Sequence, residues 1–483
     1  MKILLTSISI LFTFSLFNGC AVNPVTGKKQ LSFMSEAQEI QMGKETDPQI
    51  IAEYGLYEDQ ELQNFISTKG KQMGAISDRP NLTYHFKIVD SEVVNAFAVP
   101  GGYIYFTRGI MAHFNNEAEF AGVLGHEIGH IAARHSVNQQ AKSTLGQIGL
   151  LAGMVLSPTV AQYGQELSQG LGVLFLKFGR DAEREADELG VKYSSKIKYD
   201  AHQMAGFFGT LENLSQDNTN QLPDFLSTHP NPGERMETVK QLATQAQRKQ
   251  NLTNPIVNRN SYLKMIDGLV YGKDPKQGFV EDSKFYHPVL KFQFPIPNGW
   301  KSNNSPQAFQ MGEPNGKAIM TLSLAPGKNL LETANSTIQK FGLTVVNSDQ
   351  TTINGLQAIR IIADQAENQE QQSPALRTLS YFIADGGNIY HLIGITALST
   401  FNTYDNLFSS TMTGFKKLTD PDKINRKADR IKIITTTTNT NLNEILNIRK
   451  ENSAQRRKEI AVLNGMALNQ PIAKGTMVKV ISQ

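Results

Sequence analysis

The sequence predicts a multi-domain chain. A mainly α-helical first half with a small β-hairpin or sheet is followed by an α+β domain and a small C-terminal module. Three observations carry that expectation. A length of 483 residues suggests about three domains, at roughly 150 residues each. Helical periodicity with capping residues dominates as far as residue 245. Strand-like alternation dominates from about Val289 to Leu418. The polar run from Gln245 to Asn260 marks a linker between them, spanning 246–285.

Composition excludes several classes. Hydrophobic residues make up 40% and charged residues 19%, a globular balance. The mean hydropathy of −0.31 is too polar for a bundle of membrane helices. Lys and Arg total 47 against 44 Asp and Glu, a net charge of +3, which argues against nucleic acid as the main partner. The only cysteine is Cys20, so a disulfide framework and a thiolate zinc cage are both excluded.

The first segment reads as a targeting sequence over 1–19. Lys2 supplies one positive charge, Ile3 to Phe17 is almost wholly apolar, and Asn18, Gly19 and Cys20 follow. The position of Cys20 resembles a bacterial lipobox, which implies a lipidated cysteine at the mature N-terminus and tethering to a membrane. Phe17 and Asn18 depart from the commonest pattern, and a plain signal peptide with an incidental cysteine is the other reading. Ala21, where no Asp stands, favours the outer membrane by resemblance to enterobacterial sorting rules.

The elements then follow in order. Ser35 caps a helix through Glu36, Glu39 and Ile40. A second amphipathic helix is expected from Asp59 to Met73, with Leu62, Phe65 and Ile66 on one face. Leu82–Val89 alternates as a strand. Asn95–Val99, the turn Pro100-Gly101-Gly102 and Tyr103–Thr107 form a hairpin. Asn115 or Asn116 caps the next helix, from Glu117 to about Val137, with Glu117 and Glu119 in its first turn. Residues 145–156 and 170–178 are apolar and Gly-rich, either buried helices or a flap over the site, and each is too short to span a bilayer. Residues 180–213 are helical. In the α+β domain, 286–420, a helix is expected near Leu330–Phe341. His287 and His391 lack ligand spacing and read as structural, and Trp300 as a core anchor.

The strongest chemical signal is His126-Glu127-Ile128-Gly129-His130. On a helix, residues four apart project from one face, so His126 and His130 suit one zinc ion. Glu127 stands beside them, within reach of a metal-bound water. Gly125 and Gly129 leave room for a close neighbour. A zinc hydrolase usually needs a third protein ligand. Ser136 stands where a third motif histidine would be. His135 is rotated by about 140° from His130 on a continuous helix and is expected to face elsewhere, in a hydrogen bond or at the surface. The best carboxylate candidates lie in Arg180–Asp187, where Glu183 and Asp187 share a helical face. Glu183 can ligate the metal, and Asp187 can orient a ligand histidine. A charged, solvated helix face is the other reading of that pattern.

HEIGHIAARH with EREADELG resembles the HtpX, BepA and CAAX-prenyl-endopeptidase type of zinc metallopeptidases, a branch of the gluzincins. NAFAVPGGYIYFTRGI and STHPNPGERM add to the likeness, which covers about residues 30–245. The resemblance implies a gluzincin protease domain with one zinc ion, ligands His126, His130 and Glu183, Glu127 as general base, and Asp187 behind a ligand. It implies that Asn95, Ala96, Phe97 and Ala98 pair with substrate backbone. In the BepA-like branch a histidine at the position of His229 approaches the zinc and holds the enzyme latent; a turn histidine is the residue-level alternative. Arg235 is expected either to polarise an oxyanion or to pair with Glu183, Asp187 or Glu234.

The C-terminal segments give weaker likenesses. Residues 421–483 resemble a LysM-like module in the LNG turn and the final KGTMVKVI strand, with Arg449–Lys458 as an insertion. The α+β domain has a distant look of PsbP-like sandwiches. The expectation is therefore a periplasmic endopeptidase tethered to the outer membrane through Cys20. Its partners would be unfolded or misassembled envelope proteins and the outer-membrane assembly machinery, with no nucleic acid. The alternative is an envelope chaperone or assembly factor with little proteolytic turnover.

Overall fold

The computed structural model describes residues 20–31, 34–139, 178–217, 224–230, 232–367 and 374–483. The signal-like segment 1–19 and the apolar stretches 145–156 and 170–177 lie outside the described residues. Among the described residues no helix is long and apolar enough to cross a membrane.

The first half is built by local signals that the structure repeats closely. Ser35 and Gln38 form a reciprocal capping box at the start of helix Glu36–Tyr54. Asp59 caps helix Gln60–Gly74 by accepting from the Leu62 amide at 3.0 Å. A three-stranded sheet follows. Tyr103–Thr107 lies at its centre, parallel to His85–Val89 and antiparallel to Ala96–Val99, which forms one edge. The hairpin turn needs glycine. Gly102 has φ +96°, and a Cβ there would sit 2.3 Å from the Thr83 carbonyl oxygen.

The helix carrying the HEIGH sequence runs Glu117–Ala132, with every residue buried. Asn116 is its cap: its side chain accepts from the Glu119 amide at 2.8 Å. The helix ends five residues earlier than the expected Val137. Arg134 takes the left-handed conformation at φ +58° and breaks the helix there. Against this helix pack Arg180–Lys196 and His202–Asp217, and Pro232–Lys249 packs in turn on both of those. The shared core includes Phe106, Phe114, Phe120, Leu189, Phe207 and Leu211.

The stretch 246–285, expected as a linker, holds the end of helix Pro232–Lys249, helix Arg259–Met265, and strands Val270–Tyr271 and Phe279–Glu281. Tyr262, Leu263, Ile266 and Leu269 belong to the core of the first half.

The β-rich region centres on a seven-stranded antiparallel sheet. Its spatial order is Lys301–Asn304, Ala308–Gly312, Ala318–Ala325, Asn388–Ala397, Leu376–Asp385, Leu356–Gln365 and Thr344–Ile353. Helix Leu330–Lys340 packs on the sheet face that carries Ile359, Ile361 and Phe382. Helix Phe401–Thr413 packs on the other, against Leu379, Tyr381 and Leu392. His391 is buried, stacked on Phe382 at 4.2 Å and hydrogen-bonded to Ser380 at 3.1 Å.

Residues 429–483 form strand Asp429–Thr435, helices Leu442–Ile448 and Ala454–Leu463, and strand Met477–Ser482, the two strands being paired. This βααβ unit packs on the first half of the chain. Tyr271 pairs with Asp429 and Val270 with Arg430, so the chain leaves for the β-rich domain and returns at adjacent positions. Ile431 and Leu463 join the core of the first half. Lys479 is fully buried, and its amine donates to the carbonyls of Ala112 at 2.8 Å, Phe114 at 2.7 Å and Leu463 at 2.8 Å. Asn464, from the LNG turn, pairs with both the backbone amide and the carbonyl of Lys479 at 2.8 Å. The β-rich domain therefore stands as an insertion between two parts of one packed body.

Candidate metal centre

Two helices meet because glycine lets them. A Cβ on Gly125 would lie 2.9 Å from the Gly190 carbonyl oxygen, and one on Gly129 would lie 3.0 Å from Leu189 Cβ. This approach sets Arg180–Lys196 directly against the HEIGH helix. Glu183 and Asp187, one turn apart, then face the two histidines.

The side chains His126, His130, Glu183 and His229 converge, with one ligand atom from each lying within 4.8 Å of the others. His126 Nε2 is 3.0 Å from His130 Nε2 and 3.2 Å from His229 Nδ1. Glu183 Oε1 is 2.9 Å from His229 Nδ1 and 3.5 Å from His130 Nε2. All four are buried. His229 follows the short helix Asp224–Thr228 and is stacked on Phe225 at 4.5 Å. Phe178 covers His130, ring to ring, at 4.1 Å.

The electrostatics suit a cation at the point of convergence. Burial, with His126, His135 and His229 nearby, pushes His130 well below its ordinary value, so it is a neutral imidazole with a free lone pair. Burial also pushes His229 down, but Glu183 and Glu127 outweigh that and hold it above its ordinary value. Three imidazole nitrogens and a carboxylate are a donor set of the kind that zinc takes. The residues present therefore fit a metal ion.

Glu127 is also buried, and burial raises its carboxyl above the ordinary range. Neither of its oxygens has a hydrogen-bond partner among the described residues. His229 Nε2 lies 3.7 Å from Glu127 Oε1.

A second layer holds this cluster. Asp187 Oδ1 is 3.0 Å from His126 Nδ1. Arg235, from helix Pro232–Lys249, grips Asp187 and also places Nη1 2.9 Å from Glu183 Oε2. Its guanidinium stacks over the Phe208 ring at 4.5 Å. Of the two expectations for Arg235, the geometry displays the ion pairs with Glu183 and Asp187. Burial pushes Asp187 up, but Arg235 and His126 outweigh it and hold the carboxyl down at about 2.

His135 departs from its expected direction. Because the helix breaks at Arg134, its ring turns back and places Nδ1 3.0 Å from His130 Nδ1. Its Nε2 is 3.1 Å from Glu185 Oε2. Helical periodicity gave no signal for either contact.

Asn95, Ala96, Phe97 and Ala98 lie at or beside the outer strand Ala96–Val99. The Phe225 amide donates to the Val94 carbonyl at 3.2 Å, tying this edge to the His229 segment. Cys20 lies in a short strand, Cys20–Val22, paired with Lys29–Leu31.

A buried HExxH helix whose histidines meet a glutamate from a second helix defines a metallopeptidase site of the gluzincin kind. Residues 60–243 match the model of peptidase family M48. The chain is 28% identical over 263 residues to a beta-barrel assembly-enhancing protease of Yersinia pestis, covering 52% of each. It is 31% identical over 199 residues to the mitochondrial metalloendopeptidase OMA1 of Arabidopsis thaliana, covering 41% of this chain and 39% of that one. The chain thus spans about half the length of these relatives, or less. A solution structure of cyanobacterial PsbP from Synechocystis sp. PCC 6803 overlaps 29% of this chain and 96% of that one. At 12% identity and a TM-score of 0.23 it carries no argument about the fold.

Proposed function

We propose that this chain is a zinc-dependent endopeptidase of the bacterial cell envelope that hydrolyses peptide bonds of misfolded or misassembled proteins. The observation that carries the reading is the convergence of His126, His130 and Glu183 beside a buried Glu127 whose oxygens are uncommitted. Zinc, when bound, lowers the pKa of a bound water and polarises the scissile carbonyl. Glu127 takes the proton from the attacking water and delivers it to the leaving amine. Arg235 and Asp187 hold the carboxylate and imidazole faces in place. An extended substrate adds to the edge strand at Asn95–Ala98 through main-chain hydrogen bonds, which favours unfolded segments over any one sequence.

The name of the Yersinia relative, a beta-barrel assembly-enhancing protease, supports a role in β-barrel protein assembly, and quality control at the outer membrane is the setting we propose for it. The periplasm, an outer-membrane tether through a lipid on Cys20, and contact with the assembly machinery complete the proposal.

One observation favours a latent resting form. His229 Nδ1 lies among the candidate ligand atoms, 2.9 Å from Glu183 Oε1 and 3.2 Å from His126 Nε2. A bound metal would then have His229 as a fourth donor, in competition with water and substrate. This is also the arrangement under which an assembly factor with little turnover would operate.

The test is zinc content and casein cleavage for wild type, Glu127→Gln and His229→Ala. Glu127→Gln should keep zinc and lose cleavage, and His229→Ala should cleave faster than wild type. Full cleavage by zinc-loaded Glu127→Gln would sink the mechanism.

A further inference from the structure

The two motif histidines are held from behind in different ways. His126 meets a carboxylate directly, Asp187, while His130 meets another histidine, His135. We propose that Glu185 and His135 form a relay that sets the tautomer and orientation of His130, making both positioning residues of the metal centre. The proposal rests on the reading of His126, His130 and Glu183 as metal ligands.

The proton positions follow from the geometry. His130 Nε2 faces the cluster, 3.0 Å from His126 Nε2 and 3.5 Å from Glu183 Oε1. A ring nitrogen that ligates a cation carries no proton, so the proton of neutral His130 sits on Nδ1. That N–H points at His135 Nδ1, 3.0 Å away, which must accept. The proton of His135 is then on Nε2 and donates to Glu185 Oε2 at 3.1 Å. Each link permits one direction only, and the relay ends on a carboxylate. His135 is buried and Glu185 half-buried. Partners behind a ligand histidine fix its ring and raise its basicity, and their loss weakens metal binding.

The backbone is shaped for this contact. On an unbroken helix His135 would be turned about 140° away from His130. Arg134 at φ +58° brings it back. Arg134 is itself anchored, with Nε 3.0 Å from Glu39 Oε2 and Nη2 donating to the Met34 carbonyl at 2.7 Å.

The test measures zinc affinity of the full chain by chelator competition, with the visible spectrum of the cobalt-substituted protein as a second readout. His135→Leu should bind zinc roughly 10–100-fold more weakly and shift the cobalt bands. His135→Asn, whose Oδ1 replaces Nδ1 as acceptor, should recover most of that loss. His135→Gln, whose amide lies near the Nε2 position, should not. Wild-type affinity in folded His135→Leu, or equal affinities for the Asn and Gln variants, would overturn the relay. If His135→Leu does not fold by circular dichroism, Glu185→Ala decides: several-fold weaker zinc binding supports the relay, and unchanged binding overturns it. Wild type that takes up no zinc, or zinc uptake untouched by His126→Ala, overturns the underlying metal-centre reading instead.

Discussion

Arg235 closes on Asp187 at two points, with Nε 2.8 Å from Oδ2 and Nη2 2.6 Å from Oδ1. The same guanidinium serves Glu183, so one buried cation balances two buried carboxylates of the site. Bidentate pairing fixes the plane of the Asp187 carboxylate, and with it the ring of His126.

Removing that cation should cost stability even without metal. Arg235→Met leaves Asp187 and Glu183 buried without their cation, and a loss of about 3–5 kcal/mol is expected in urea unfolding of the zinc-free protein. A change below about 1 kcal/mol would show that the pair is not structurally important.

Helix spacing should control zinc binding. Gly125→Ala places a methyl 2.9 Å from the Gly190 carbonyl oxygen and 3.0 Å from Gly190 Cα, both backbone atoms. The helices must part, moving Glu183 away from His126 and His130. A destabilisation of about 1–3 kcal/mol, together with weaker zinc binding, is expected. Gly179→Ala meets nothing within 4 Å and serves as the control.

The last strand should be required by the peptidase body, and the β-rich domain should be dispensable to it. Lys479→Met strands three buried carbonyls, and a loss of about 3 kcal/mol is expected. Truncation after residue 428 should give insoluble protein. Excision of 273–427 with a short bridge should keep zinc binding, because Tyr271 and Asp429 are already paired neighbours. Loss of zinc binding on excision, or a soluble zinc-binding truncation, would contradict the inserted arrangement.

Mild acid should weaken the β-rich domain through His391. Burial lowers this imidazole from 6.5 to about 4. Between those values the unfolded chain binds more protons than the folded one, so stability rises with pH and falls as pH drops from 6.5 to 4. At roughly 1.4 kcal/mol per pH unit, the loss from this residue reaches about 3 kcal/mol. Thermal unfolding across that range should show the slope in wild type and a flatter one in His391→Gln. Equal slopes would remove His391 as the cause.

Much of the first half was legible because its signals are local. Ser35 caps the first helix as predicted, Asn116 is the one of the two candidate asparagines that caps the motif helix, and the helix expected from Asp59 begins at Gln60. The turn at Gly101-Gly102 joins the expected strands. In the β-rich domain Leu330–Lys340 matches its predicted helix, whereas the strand Thr344–Ile353 has no counterpart among the predicted elements. That strand is exposed at nine of its ten positions and carries no burial alternation to read.

The sequence by itself determined that His126 and His130 share a helical face, that Glu183 and Asp187 share another, and that glycines stand where two helices could touch. Periodicity and capping are properties of neighbouring residues, and a chain read alone carries them in full. Tertiary structure decided what those faces meet. His229 reaches Glu183 across a separation of 46 residues, and Lys479 reaches Ala112 across 367. His135 turns to His130 only because Arg134, held by Glu39 from the first helix, leaves the helical conformation. Such contacts depend on which segments pack together in three dimensions, and no local pattern encodes that choice.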